Sequence, residues 1–154
     1  MKILIVEPRK HPRRADISHT LEEMQRIVGG DIQAIYPFDD PIAIVCDEES
    51  KIKGYELNRH IPNADIIAGT FFVCGLGAED FADLPDDLAE KYEKFFYEPE
   101  VFVRAVNCIL VLRADGTREV IRYCRRMFIR KTAMTIVTLI CAVWRKTMVF
   151  PLTP

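Results

Sequence analysis

The run Ile66-Ile67-Ala68-Gly69-Thr70-Phe71-Phe72-Val73-Cys74 constrains the fold more than any other segment of this chain. It is long, apolar and β-rich, so it belongs inside a sheet as a central strand, and its interior Gly69 marks a bulge or a close backbone approach. Shorter β-rich runs supply its neighbours. Ile3-Leu4-Ile5-Val6 is ended by Pro8, and the basic turn Arg9-Lys10-His11-Pro12-Arg13-Arg14 leads to a second strand around residues 15–18, which predicts an N-terminal hairpin with a basic tip. Ile32 to Tyr36 and Ile42 to Cys46 flank the turn Pro37-Phe38-Asp39-Asp40-Pro41 and should pair antiparallel.

Helices are marked at two places. Thr20 followed by Glu23 is a capping-box signal, and Leu21, Met24, Ile27 and Val28 recur at helical spacing until Gly29-Gly30 stops the turn, predicting a helix over 20–28. After Gly75-Leu76-Gly77 the chain turns acidic. Two acidic helices are expected there, a short one with Phe81 and Leu84 and another starting near Pro85 with Leu88, Tyr92, Phe95 and Phe96, both covering one face of the sheet. Asn58-Arg59-His60-Ile61-Pro62-Asn63 reads as a polar loop or one helical turn broken at Pro62. The expected class is α+β with a mostly antiparallel sheet.

Charge divides the chain. Its 154 residues carry a formal net charge of -2, but residues 1–100 hold 11 Lys/Arg and 21 Asp/Glu, net -10, while 101–154 hold 10 and 2, net +8. We therefore expect an α+β domain over 1–100 and a basic C-terminal extension over 101–154 that packs on it. In the extension, residues 109–121 place Asp115-Gly116 between apolar flanks, a hairpin signature. The charge-free run of 13 residues from Thr132 to Trp144 follows, bracketed by Arg130-Lys131 and Arg145-Lys146. Ala133, Ile136, Leu139, Ile140, Val143 and Trp144 follow helical spacing, although the β-branched content leaves a strand open. As a helix it would span about 20 Å, short of the ~30 Å hydrocarbon core, which argues against a membrane span.

Composition excludes collagen-like, disulfide-scaffold and wholly disordered chains. The first apolar stretch is too short for a secretory signal, and Cys46, Cys74, Cys108, Cys124 and Cys141 form no Cys-x-x-Cys pair. Reduced thiols in a cytoplasmic protein are the expectation.

No cluster reaches the specificity of a catalytic signature, and no catalytic residue, metal ligand or cofactor is assigned. Asp39, Asp40, Asp47, Glu48 and Glu49 flank one strand, but their spacing matches no EF-hand and a solvated turn explains them. Gly75-Leu76-Gly77 lacks the third glycine of a dinucleotide fingerprint, and Glu79-Asp80 would oppose a phosphate. The candidate ligand-binding set is Gly29, Gly30, Tyr36, Phe38, Asp39, Asp40, Asn58, Arg59 and Thr70. Glycines admit close backbone approach, Tyr36 and Phe38 offer stacking faces, Asn58 a two-way amide and Arg59 a fork for phosphate or carboxylate. Aromatic core packing and loop fixation explain the same residues. In the extension, Arg122, Arg125, Arg126, Arg130 and Lys131 with Tyr123 and Phe128 suit nucleic acid, an anionic membrane surface or packing against the acidic part.

Taken in order, Thr20-Leu21-Glu22-Glu23-Met24-Gln25 leading to Val28-Gly29-Gly30, the run from Ile35 to Pro41, Asn58-Arg59, and Asp65 to Phe71 are similar to a known small domain. Over about residues 1–100 the chain resembles the domain of unknown function (DUF) 3846 family of phages and mobile elements of Gram-positive bacteria. The resemblance implies an α+β domain of mobile-element origin and carries no activity or catalytic residues. The function expected first is a non-enzymatic accessory protein that binds a small nucleotide-like ligand or a host protein. The alternatives are an acidic interaction protein of anti-restriction type, motivated by the nine acids and two lysines of residues 76–100, and a hydrolase or transferase using the Asp39-Asp40 region.

Overall fold

A computed structural model describes residues 1–62, 64–105, 108–113 and 118–122. Its first elements are β1 (Lys2–Val6), β2 (Arg13–Asp16), α1 (Leu21–Val28), β3 (Ile32–Ile35), β4 (Ile42–Asp47), β5 (Leu57–His60) and β6 (Ile66–Ala68). They are followed by β7 (Phe71–Leu76), β8 (Phe81–Ala82), α2 (Asp86–Phe95), β9 (Glu100–Ala105), β10 (Cys108–Arg113) and β11 (Arg118–Arg122). The Asp115-Gly116 turn and the basic and apolar segment 123–154 lie outside the described residues.

The main sheet runs β2-β1-β7-β4-β3, with β8 also paired to β7, and all its pairings are antiparallel. Its inner strands are buried on both faces, which is why they read as unbroken apolar runs. One face carries Leu4, Val6, Ile42, Ile44, Cys46, Phe71 and Val73 and packs on Ile61, Ile67 and the α2 residues Ala89 and Tyr92, with Phe96 just beyond that helix. The other carries Ile3, Ile5, Ala43, Val45, Phe72 and Cys74 and packs on Met24 and Val28 of α1. The domain is therefore a sheet between one helix and a second layer made of α2 and the β5–β6 ribbon.

The α1 boundaries follow from local chemistry. Thr20 Oγ1 accepts the Glu23 amide at 3.3 Å, while the Glu23 carboxylate turns to Arg26 instead of closing the reciprocal half of a capping box. Gly29, at φ 88°, ends the helix in the left-handed conformation.

Four expectations need correction. Residues 57–60 form strand β5, because Asn58 and Arg59 are buried side chains whose polar atoms find backbone partners, a pairing no local pattern announces. The run from Ile66 to Cys74 is not one strand. Gly69, at φ +72°, breaks it into β6, paired with β5, and β7, the true central strand. Phe81 lies on β8, extending the sheet beside Leu76, so α2 is the single helix described between 76 and 100 in place of two. The second strand lies at Arg13–Asp16, slightly before its expected position. Beyond the domain, β9 adds a strand to the expected hairpin and makes an antiparallel β11-β10-β9 sheet, joined through Ile66, Ile109 and Val111.

Candidate functional site

The two polar residues of β5 are committed to the fold. Asn58 Nδ2 donates to the carbonyl oxygens of Val6 at 2.9 Å and Gly69 at 2.7 Å, tying the end of β1 to the kink between β6 and β7. Arg59 is 2% exposed. Its guanidinium donates to Phe96 O through Nε and Nη2, to Lys10 O at 2.8 Å, and to the backbone and side-chain oxygens of Asn58 at 3.1 and 2.9 Å. Burial pushes its pKa below the usual arginine range, and Glu100 and Glu98 oppose that shift. One side chain thus joins the N-terminal hairpin, the β5–β6 ribbon and the end of α2.

The other candidates fall into separate places. Phe38 packs on Tyr92, Phe95 and Phe96 at ring distances of 4.9, 5.4 and 6.5 Å. Asp40 pairs with Lys91 and accepts the Tyr92 hydroxyl at 2.6 Å, which together hold its carboxyl below the ordinary range, while Asp39 beside it is exposed. Gly29 and Gly30 meet the 51–55 loop. Tyr55 donates its hydroxyl to Gly29 O at 3.1 Å, and its ring passes so close to Gly69 that a Cβ there would lie 2.7 Å from Cδ2. A Cβ on Gly30 would lie 2.4 Å from Lys53 Nζ and 2.7 Å from Asp47 Oδ2, so these glycines make room for a packed loop. Thr70 is half-buried, directly before β7. Tyr36 stands at a concave surface, 60% exposed.

That surface is an open groove of about 470 Å³ where the ribbon leaves part of the β3–β4 edge uncovered. Gln33, Ile35 and Cys46 form its sheet wall, and Ser50, Lys51, Asp65, Ile66 and Ile67 its far wall. Apolar and polar side chains both line it. Lys51 pairs with Asp65 across exposed surface, and Asp47 is a buried carboxylate that accepts the Glu49 amide at 2.9 Å and Lys53 Nζ at 2.8 Å. Asp47 and Asp65 are thus ion-paired, which leaves exposed Glu48 as the lining acid outside these pairs. Sequence reasoning missed these walls because they come together only when the ribbon folds over the sheet, and the turn acids Asp47 and Glu48 were the one available signal.

The chemistry of the remaining groups is quiet. Burial pushes both the Cys46 and Cys74 thiols up, Cys74 to about 12, so both are protonated at neutral pH and poor nucleophiles. Among the described residues no group of three or more His, Cys, Asp and Glu is placed to hold a metal ion, and no helix is long and apolar enough to cross a membrane.

A family model described as Domain of unknown function (DUF3846) matches residues 1–97. The chain belongs to the DUF3846 family. The matched region closes just after Phe96, whose carbonyl Arg59 holds, so the β1–α2 unit described above is the DUF3846 domain and β9–β11 follow it. Comparison with curated proteins and with solved structures finds no match.

Several acids of the DUF3846 domain's last segment meet basic side chains of the same domain. Asp86 and Glu93 lie 3.9 and 3.0 Å from Arg14, Glu90 lies 2.6 Å from Lys94, and Asp80 lies 3.4 Å from His19. Glu100 is buried, accepting Arg113 at 2.6 Å and the His60 amide at 2.6 Å.

Proposed function

We propose that this DUF3846 protein is a non-enzymatic binding protein whose β3-edge groove seats a neutral or cationic amphipathic segment of another protein. The observation that carries this reading is the groove itself: open, about 470 Å³, lined by Ile35, Ile66 and Ile67 together with Glu48, Asp65 and Lys51, and flanked by exposed Tyr36. Apolar side chains with a few polar groups favour a specific ligand, and an exposed tyrosine is a common anchor in protein recognition. Arg59, the fork best suited to an anion, is spent on backbone carbonyls, and Lys51 of the groove is paired with Asp65, so capture of a nucleotide has less support than capture of a protein segment. Nucleic-acid mimicry has less support for a related reason. Carboxylates engaged by Arg14, Lys94 and Arg113 are partly neutralised and do not present an uninterrupted anionic track. Catalysis at Asp40 would compete with Lys91 and Tyr92 for the same oxygen. A cytoplasmic, mobile-element setting completes the proposal.

The test uses isotope-labelled full chain titrated with synthetic peptides of alternating lysine and leucine, with glutamate-leucine peptides of the same length, and with adenosine monophosphate. The lysine peptide should shift the signals of Gln33, Lys51 and Ile67, and Tyr36→Ala should weaken its binding about tenfold, the effect of ~1.4 kcal/mol. Equal shifts with the glutamate peptide, or groove shifts with the nucleotide alone, would reject the proposal.

A further inference from the structure

Pairing in the β9–β10–β11 sheet sorts its side chains onto two unlike faces. Ile109 and Val111, 3% and 0% exposed, face the domain with Phe102 and pack on Ile66 and Leu57. The alternate residues point away: Val103 sits opposite Leu110 and Val101 opposite Leu112, and cross-strand partners share a face. Val101 is 55% exposed and Val103 46%, while Leu110 and Leu112 are half-buried. Among the described residues this apolar face has no cover, although a sheet needs a second layer over each apolar side.

We propose that the face is the docking site of the chain's own apolar run, Thr132–Trp144. β11 ends within this sheet at Arg122, so the run is tethered to the face it would cover by residues 123–131. Those nine residues reach up to ~30 Å when extended, more than the length of the sheet, and the tether keeps the local concentration of the run high. The lengths match as well. As a helix the 13-residue run would be about 20 Å long, the length of a six-residue strand, and Ile136, Ile140 and Val143 would then form one stripe to lie along the Val–Leu pairs. A second copy of the chain would lack the advantage of the tether.

Trp144 is the single tryptophan of the chain and lies inside the run, so its fluorescence reports the docking directly. In the full-length protein its emission should be blue-shifted and shielded from acrylamide at every protein concentration. Val103→Thr, which keeps β-branching, and Leu112→Thr should each shift the emission to the red and raise quenching several-fold with far-UV circular dichroism unchanged. If either variant does not fold, the reciprocal Ile140→Asp leaves the described sheet untouched and should move the methyl resonances of Val101 and Val103. A solvent-like Trp144 in the parent protein, shielding that all three variants leave intact, or shielding lost on dilution together with a dimer would each overturn the proposal.

Discussion

Replacing Arg59 by methionine should destabilise the domain severely, and by an amount that follows from its hydrogen bonds. The guanidinium serves four acceptors, the backbone oxygens of Phe96, Asn58 and Lys10 and the amide oxygen of Asn58. Each left without a donor in a buried setting costs about 1 kcal/mol or more, so the gross loss is about 4 kcal/mol or more. Methionine recovers part of this, because its thioether needs no solvation where the guanidinium was stripped of water. The expected net loss is about 3 kcal/mol, a large share of the ~5–15 kcal/mol typical of a domain. Arg59→Lys keeps the charge but not the fork, and should lose about 2 kcal/mol. Urea unfolding followed by circular dichroism measures both as a lower midpoint at unchanged slope. A loss below about 1 kcal/mol for Arg59→Met, accompanied by lost ligand binding, would refute the architectural role and return the guanidinium to a binding site.

Other perturbations test neighbouring parts of the fold. Gly69→Ala combines φ +72° with a Cβ 2.7 Å from the Tyr55 ring and should cost about 2–3 kcal/mol, whereas Gly54→Ala, at φ +74° with nothing within 4 Å, should cost only about 1 kcal/mol; equal midpoint shifts would show that the Tyr55 contact is immaterial. Thr20→Ala removes the α1 cap and should lower stability by about 1 kcal/mol in the same assay, a loss that Thr20→Ser should largely avoid. Lys91 and Tyr92 hold Asp40 below its unfolded carboxyl pKa, so their stabilisation is complete above that unfolded value and is lost as pH falls through the lower folded value. Urea midpoints measured through the acid range should therefore fall less steeply in Tyr92→Phe than in the parent, and identical slopes would reject the linkage. Cys46 and Cys74 should resist alkylation at neutral pH in the native protein and react on unfolding, as peptide mapping can follow.

Much of the fold was legible where local chemistry and burial agree. The α1 helix is announced by Thr20 and ended by a glycine that adopts the left-handed form its place requires. β1, β3 and β4 are β-rich runs closed by turn residues, and each has one antiparallel partner that is its neighbour in sequence, whereas the pairing of β1 and β4 with β7 spans the domain. Residues 76–84 misled for the opposite reason. Phe81 and Leu84 fit one helical turn, but backbone pairing with Gly75 and Leu76 draws the segment into the sheet edge as β8. Asn58 and Arg59 carry the polar chemistry of a ligand site. Which carbonyls surround them depends on Lys10 and Phe96, 49 and 37 residues away.

By itself the sequence determined the class, the antiparallel pairing of neighbours, the α1 cap and the division of charge near residue 100, all set by contacts between residues close in the chain or by totals over a segment. Only the tertiary structure decided that Gly69 separates two sheets, that Arg59 is a brace, and that a groove opens beside Tyr36. The physical reason is common to all three. A buried polar group takes whatever partner the folded chain brings to it, and an open surface exists only where packing stops, and neither condition is written at a single position.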